Sequence, residues 1–332
     1  MKRSIAFVLL ALTATLACIG CGERTYTRQA FMLDTLVRIT LYGGSEETAD
    51  ACLALIAEAE RALSRTDPES ELAQLNAGEI DTVSAETAAL IASALDMAKL
   101  TRGAFDPTVG RLSDLWNFSA AEPILPESSA IAEALETVGY EGVRLTGNRV
   151  HFDHPGTVLD LGGIAKGEIA DRLAAFLQAQ GVERAILNLG GNVLVMGGTA
   201  DDPYRVGVQD PESPAGESLL VLDITQGTVV TSGIYNRGFE AEGKYYPHIL
   251  DAETGYPAEN SLASVTVIGE SSRQADALST ACMCLGEEAG MALIESLDGL
   301  DAIMITRDGR VLFSSGTEEK YNVAYVREVD GR

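Results

Sequence analysis

Asp276 and Thr280 stand four residues apart in "SSRQADALSTACMCLG", a stretch with helical apolar spacing, so both side chains project from one face, one turn apart. Two hard oxygen donors at that spacing suit magnesium, which takes a carboxylate or two and fills its octahedron with water and phosphate oxygens. The same aspartate would also serve as a capping or dipole-stabilising residue near a helix start, and spacing alone does not choose. A second candidate is His248 in "YYPHILDAETGYPAEN", one of three histidines. An imidazole titrates near pH 6.5 when unperturbed and suits a base, a donor, a metal ligand or a plain turn. The third is "LDLGGIAKGEIAD", in which Asp160 closes a strand, Gly162 and Gly163 permit close backbone approach, and Lys166-Gly167 opens a helix. Such helix starts present free N–H groups to anions, although an ordinary strand-to-helix turn reads the same way. Neither a Walker loop nor a dinucleotide-binding fingerprint is present.

A chain of 332 residues with 46% hydrophobic content can bury a substantial core. Its formal charge of -25 argues against nucleic acid or an anionic membrane face as an electrostatic partner, and a phosphate-rich ligand would need a cation. "FMLDTLVRITLY" alternates as a strand. Helices are expected over Glu46 to Leu63, Ala85 to Leu100 and through "KGEIADRLAAFLQAQG", the last ending at Gly181. Strands dominate the second half: "AILNLGGNVLVMGG", "YRVGVQDPE", "LLVLDITQGTVVTSG" and "SVTVIGE". A hairpin, "AIMITRDGRVLFSS", turns at Asp308-Gly309 as a two-residue type I′ loop. The pattern reads as α+β.

The first residues, "MKRSIAFVLLALTATLACIGCGE", have the layout of a secretory signal over 1–20, followed by a polar tether over 21–30. The segment resembles a bacterial lipoprotein signal with Cys21 as the lipidated residue and Cys18 as the alternative. That places the protein outside the cytoplasm, anchored to the outer face of the bacterial cytoplasmic membrane. Cys52, Cys282 and Cys284 have neither metal-ligand nor disulfide spacing and read as core residues.

Three further blocks, "GAFDPTVGRLSDLW", "LNLGGNVLVMGG" and "TSGIYNRGFEAEGKYYPHILDAETGYP", complete the set. With them the chain closely resembles the ApbE family, the FAD:protein FMN transferases, over nearly all of the mature sequence. The resemblance implies a T-fold-related, two-part α/β domain over 31–328 with the FAD site between its subdomains. It implies Mg²⁺-dependent cleavage of FAD, with FMN attached through a phosphoester to a threonine or serine of an acceptor protein and AMP released. The family's metal ligands fall on Asp276, Thr280 and the Ala165 carbonyl. Its histidine falls on His248, followed by Asp251 and Thr254; His248 and Asp251 are the candidate catalytic residues, the latter as an alternative base. FAD-binding positions fall on Leu33, Asp106, Lys166, Gly190, Gly191, Ser232, His248 and Thr254. Acceptors implied are Rnf-type or NADH:quinone oxidoreductase subunits, or other exported flavoproteins.

This chain departs from the family where Thr66 replaces a flavin-stacking tyrosine, Glu168 replaces a tyrosine and Ala252 replaces a proline. Two other functions use the same residues: a metal-dependent FAD pyrophosphatase, and a flavin-binding lipoprotein without chemistry.

Overall fold

The computed structural model describes residues 24–213 and 216–326; the signal-like residues 1–20, with Cys18, as well as Cys21 and residues 327–328 lie outside them. An eight-stranded sheet forms the frame. Its strands are β1 (Thr25–Met32), β2 (Thr35–Tyr42), β3 (Arg184–Leu189), β4 (Asn192–Met196), β5 (Gly227–Gly233), β6 (Leu262–Gly269), β7 (Asp301–Thr306) and β8 (Val311–Phe313). They lie side by side in chain order, each antiparallel to the next. The long β2–β3 connection carries α1 (Glu46–Leu63), α2 (Glu71–Asn76), α3 (Ala85–Leu100), α4 (Gly110–Trp116), α5 (Ser128–Leu135) and α6 (Gly162–Ala179), and α7 (Ser272–Glu295) joins β6 to β7. An antiparallel sheet with helices held in long connections is the α+β arrangement expected from the sequence.

Both faces of the sheet are covered, which is why β6 and β7 read as nearly continuous apolar runs. On one face Val37, Ile39 and Leu187 pack against Cys52 and Ile56 of α1 and Ile169 and Leu173 of α6. On the same side, Val265, Val267 and Met304 pack against Leu278 and Cys282 of α7. A three-stranded sheet, Tyr204–Gln209, Ser218–Ile224 and Ala324–Tyr325, covers the other face through Val206, Leu220 and Leu222. Helices α2 and α3 form the second part, packed on α7 at Ala277 and Ala281. Burial pushes the Cys52 thiol up to about 11 and those of Cys282 and Cys284 up to about 12, as inert core thiols should behave.

Four local expectations change. Residues 25–30, read as tether, belong to β1; as an edge strand it alternates between exposed and half-buried positions and needs little apolar content. Asp160 lies outside any strand, and α6 starts at Gly162 rather than at Lys166, because both glycines are helical. The β7–β8 turn closes on a Thr306–Arg310 pair, with Thr306 N–H donating to the Arg310 carbonyl at 2.9 Å. Only Gly309 has positive φ there, so the loop holds three residues instead of a type I′ pair.

Helices α6 and α7 cross at Gly167. A Cβ on this residue would stand 2.3 Å from the Ser272 carbonyl oxygen and 2.6 Å from the Arg273 Cα, both backbone atoms that cannot step aside. Around the crossing, Asp171 of α6 caps α7: it accepts from the Ser271 hydroxyl at 2.9 Å and from the N–H groups of Ser272 at 2.8 Å and Arg273 at 3.1 Å. Glu168 pairs with Arg273 at 2.9 Å. The helices are therefore locked in register by backbone contact, a cap and an ion pair. Gly167→Ala should lower unfolding stability by roughly 1–3 kcal/mol through overpacking, read by urea denaturation. Unchanged stability would mean the helices do not cross this closely.

Candidate active site

The crossing fixes Asp276 against the backbone of α6. The Gly167 N–H donates to Asp276 Oδ2 at 2.9 Å, and the carboxylate is only 3% exposed. Burial raises its pKa, with the nearby Lys166 ammonium and the Gly167 bond opposing that rise. Thr280, one turn on, donates its hydroxyl to the Asp276 carbonyl at 3.2 Å, which leaves its oxygen lone pairs free. Gly163 gives it room: a Cβ there would lie 3.3 Å from the Thr280 hydroxyl oxygen and 3.1 Å from the Phe105 ring. Ala165 sits in the first turn of α6, in sequence between Gly163 and Gly167.

These residues suit a small hard cation. A buried carboxylate with a single N–H donor and a hydroxyl with open lone pairs, one helical turn apart, are hard oxygen donors. Among the described residues no group of three histidine, cysteine, aspartate or glutamate side chains forms a metal cage. Magnesium, which keeps several waters or phosphate oxygens, does not need one.

His248 follows the short hairpin Gly238–Ala241 and Lys244–Pro247. Its Nδ1 lies 3.2 Å from the Arg237 carbonyl oxygen, which only accepts, so Nδ1 carries the proton and Nε2 presents a lone pair. His248 is half-buried, and desolvation by the surrounding protein lowers its pKa to about 4; the Arg237 bond opposes the shift, and the charges of Lys166 and Arg237 add to it. The carboxylate acting on the ring is Asp160, which raises the value, and not Asp251. The expected titration near 6.5 is therefore displaced by burial.

Several expected site residues also make structural contacts. Asp251 Oδ1 accepts from the Glu253 N–H at 2.8 Å, and Thr254 is exposed with its hydroxyl accepting from the Tyr256 N–H at 3.3 Å; both shape the turn after His248. Trp116 of α4 holds that turn by donating to the Gly255 carbonyl at 2.9 Å. Asp106 is buried and saturated: Oδ1 accepts from Thr108 N–H at 2.8 Å and its hydroxyl at 2.6 Å, and Oδ2 from Tyr140 N–H at 3.1 Å. It fixes the "FDPTVG" block, whose Pro107 carbonyl accepts from the Asp160 N–H at 2.7 Å. Ser232 meets Ser279 at 2.7 Å, and Ser279 donates to the Asp276 carbonyl at 2.9 Å, tying β5 to the Asp276 turn. Leu33 and Asp34 have φ of 54° and 56° in the β1–β2 turn. That turn borders Gly190, where a Cβ would stand 2.1 Å from the Thr35 hydroxyl oxygen, and Gly191 completes the adjoining β3–β4 turn. Thr66 is exposed.

The sequence reading missed Asp160, Arg237 and Asp171 as site-forming groups. Asp160 accepts from the Gly162 N–H at 2.9 Å and lies 3.4 Å from Arg65, which also pairs with Asp114. Only its place beside the glycine pair hinted at this.

A model described as the ApbE family matches residues 33–304. The chain belongs to the ApbE family. ApbE-family relatives include the FAD:protein FMN transferase of Treponema pallidum (strain Nichols), 34% identical over 359 residues and 99% of each chain. Another is that of Klebsiella pneumoniae (strain 342), 35% identical over 88% of this chain and 93% of its own. The ApbE protein of Thermotoga maritima superposes with a TM-score of 0.82 at 33% identity, covering 92% of this chain and 100% of that one. The flavin transferase ApbE of Vibrio cholerae gives 0.78 at 29% identity, over 89% and 99%. The two-part fold is thus the ApbE fold.

The His248 ring should titrate near pH 4 in the ligand-free protein, followed by its imidazole NMR signals. The sign for stability follows. An unfolded histidine binds its proton near 6.5 while the native ring stays neutral, so His248 costs up to about 1.4 kcal/mol per pH unit as pH falls from 6.5 towards 4. A midpoint near 6.5 would contradict the desolvated, Nδ1-protonated ring.

Proposed function

We propose that this enzyme moves the FMN half of FAD onto a threonine or serine hydroxyl of an acceptor protein, forming a phosphoester and releasing AMP. The observation that carries the reading is the end-to-end match to a relative named FAD:protein FMN transferase, over 99% of both chains. Asp276, Thr280 and the Ala165 carbonyl would hold Mg²⁺, which when bound supplies the Lewis acidity and positive charge that a protein of formal charge -25 lacks.

The chain's own groups supply the remainder. Lys166 acts electrostatically on both Asp276 and His248, and its ammonium would favour a flavin phosphate bound near them. Nε2 of neutral His248 takes the acceptor hydroxyl proton as the oxygen–phosphorus bond forms and the pyrophosphate oxygen leaves with AMP. A neutral ring at physiological pH is in the state a base requires. The Arg237 carbonyl keeps Nδ1 occupied and aims Nε2.

We infer that the mature protein begins at a diacylated Cys21 and faces outward from the cytoplasmic membrane, supported by the signal-like residues 1–20. Membrane-extracted protein should carry acyl mass on Cys21, and an unacylated mature N-terminus would remove this reading.

For the chemistry, purified protein with FAD, Mg²⁺ and a threonine-bearing acceptor subunit should yield an acceptor heavier by one FMN in mass spectrometry. FMN and AMP without an adduct would indicate a pyrophosphatase. His248→Ala should lower transfer by about 10²- to 10⁴-fold with FAD affinity nearly unchanged, since the loss falls on the transition state. His248→Gln retains hydrogen bonding without basicity and should stay equally slow. Near-full activity in His248→Gln would move the base elsewhere, to Asp251 or Asp160.

A further inference from the structure

One end of the β1–β2 hairpin presents a bare apolar pair. Phe31 and Leu36 face each other directly across the strands and are 76% and 56% exposed. They flank the left-handed Leu33-Asp34 turn. Asp34 lies 3.3 Å from the Arg237 guanidinium, and the Arg237 carbonyl is the partner of His248 Nδ1. Two polar contacts therefore connect the patch to the base. β1 is also the outer strand of the sheet among the described residues, so its free edge offers backbone N–H and C=O groups to an added strand. Natural edges of this kind are usually charged, shortened or covered, and an apolar pair at the edge marks a surface that is covered in use.

We propose that the Phe31/Leu36 end of this hairpin docks the acceptor polypeptide, whose extended hydroxyl-bearing segment runs along the edge of β1 towards His248. The proposal rests on the transferase reading. The acceptor must bring one hydroxyl to Nε2 while FAD is bound at the same site, so its grip has to lie outside that site and beside it. The patch meets both conditions. A lipid surface fits less well, because the described chain enters β1 at Thr25 and Phe31 lies roughly 20 Å further along the strand at about 3.3 Å per residue. The patch is thus at the end of β1 away from the proposed anchor and towards the His248 loop.

The Phe31→Ser/Leu36→Ser double variant tests this, with the threonine-bearing subunit of an Rnf-type complex as the acceptor probe. KM for the acceptor should rise about tenfold or more, while FAD affinity, kcat at saturating acceptor and thermal midpoint stay unchanged. An unchanged acceptor KM, with wild-type protein active, overturns the docking surface alone. Wild-type protein that transfers nothing to the probe overturns the transferase reading instead. Loss of binding to phosphatidylglycerol vesicles, or a change in oligomeric mass, at unaltered acceptor KM assigns the patch to lipid or to a second copy and also overturns the proposal. Should the double variant lose stability, Leu36→Lys carries the same readout.

Discussion

Everything at this site depends on how closely α6 and α7 approach at Gly167. Any side chain there would collide with the Ser272 carbonyl, and only at this separation does the Gly167 N–H reach the Asp276 carboxylate. The Asp171 cap and the Glu168–Arg273 pair hold the same register from either side. In this chain Glu168 replaces an expected tyrosine, and its ion pair gives the substitution a structural role. The sheet serves the crossing in turn: α6 lies on β2 and β3, α7 on β5 to β7, and Ser232 links β5 to the Asp276 turn through Ser279.

Electrostatics then divide the recess. Asp276 is buried with one N–H donor and no cation in hydrogen-bond contact, a costly arrangement for a carboxylate unless a cation joins it. His248 is pushed the other way, towards neutrality, by desolvation and by Lys166 and Arg237. The charge of one lysine, Lys166, acts on both groups, favouring the carboxylate of Asp276 and the neutral ring of His248.

Much of this was legible beforehand. Helices α1 and α3 matched their expected bounds because apolar spacing runs between capping serines, Ser45 and Ser84, whose hydroxyls accept from Thr48 and Thr87 N–H groups. The Asp276–Thr280 pair was legible for the same reason, since helical spacing fixes which side chains share a face. β1 was not, because an exposed edge strand carries no apolar signature. Asp106, Asp251 and Asp160 show the larger limit. All three are aspartates beside prolines, glycines or turns, and each accepts from the backbone N–H two residues on, so only their further surroundings tell them apart. Residue type and motif named the candidates; the tertiary hydrogen bonds assigned the work.

The central claim is that Asp276, held by Gly167, is the protein's anchor for the cation that brings in FAD. FAD affinity measured by flavin fluorescence, with and without Mg²⁺, tests it most directly in wild-type protein and in Asp276→Asn. Wild-type affinity should strengthen about tenfold or more with Mg²⁺, while Asp276→Asn, folded and with an unchanged thermal midpoint, should bind FAD weakly and without response to the metal. The same Mg²⁺ response in Asp276→Asn as in wild type would contradict the account.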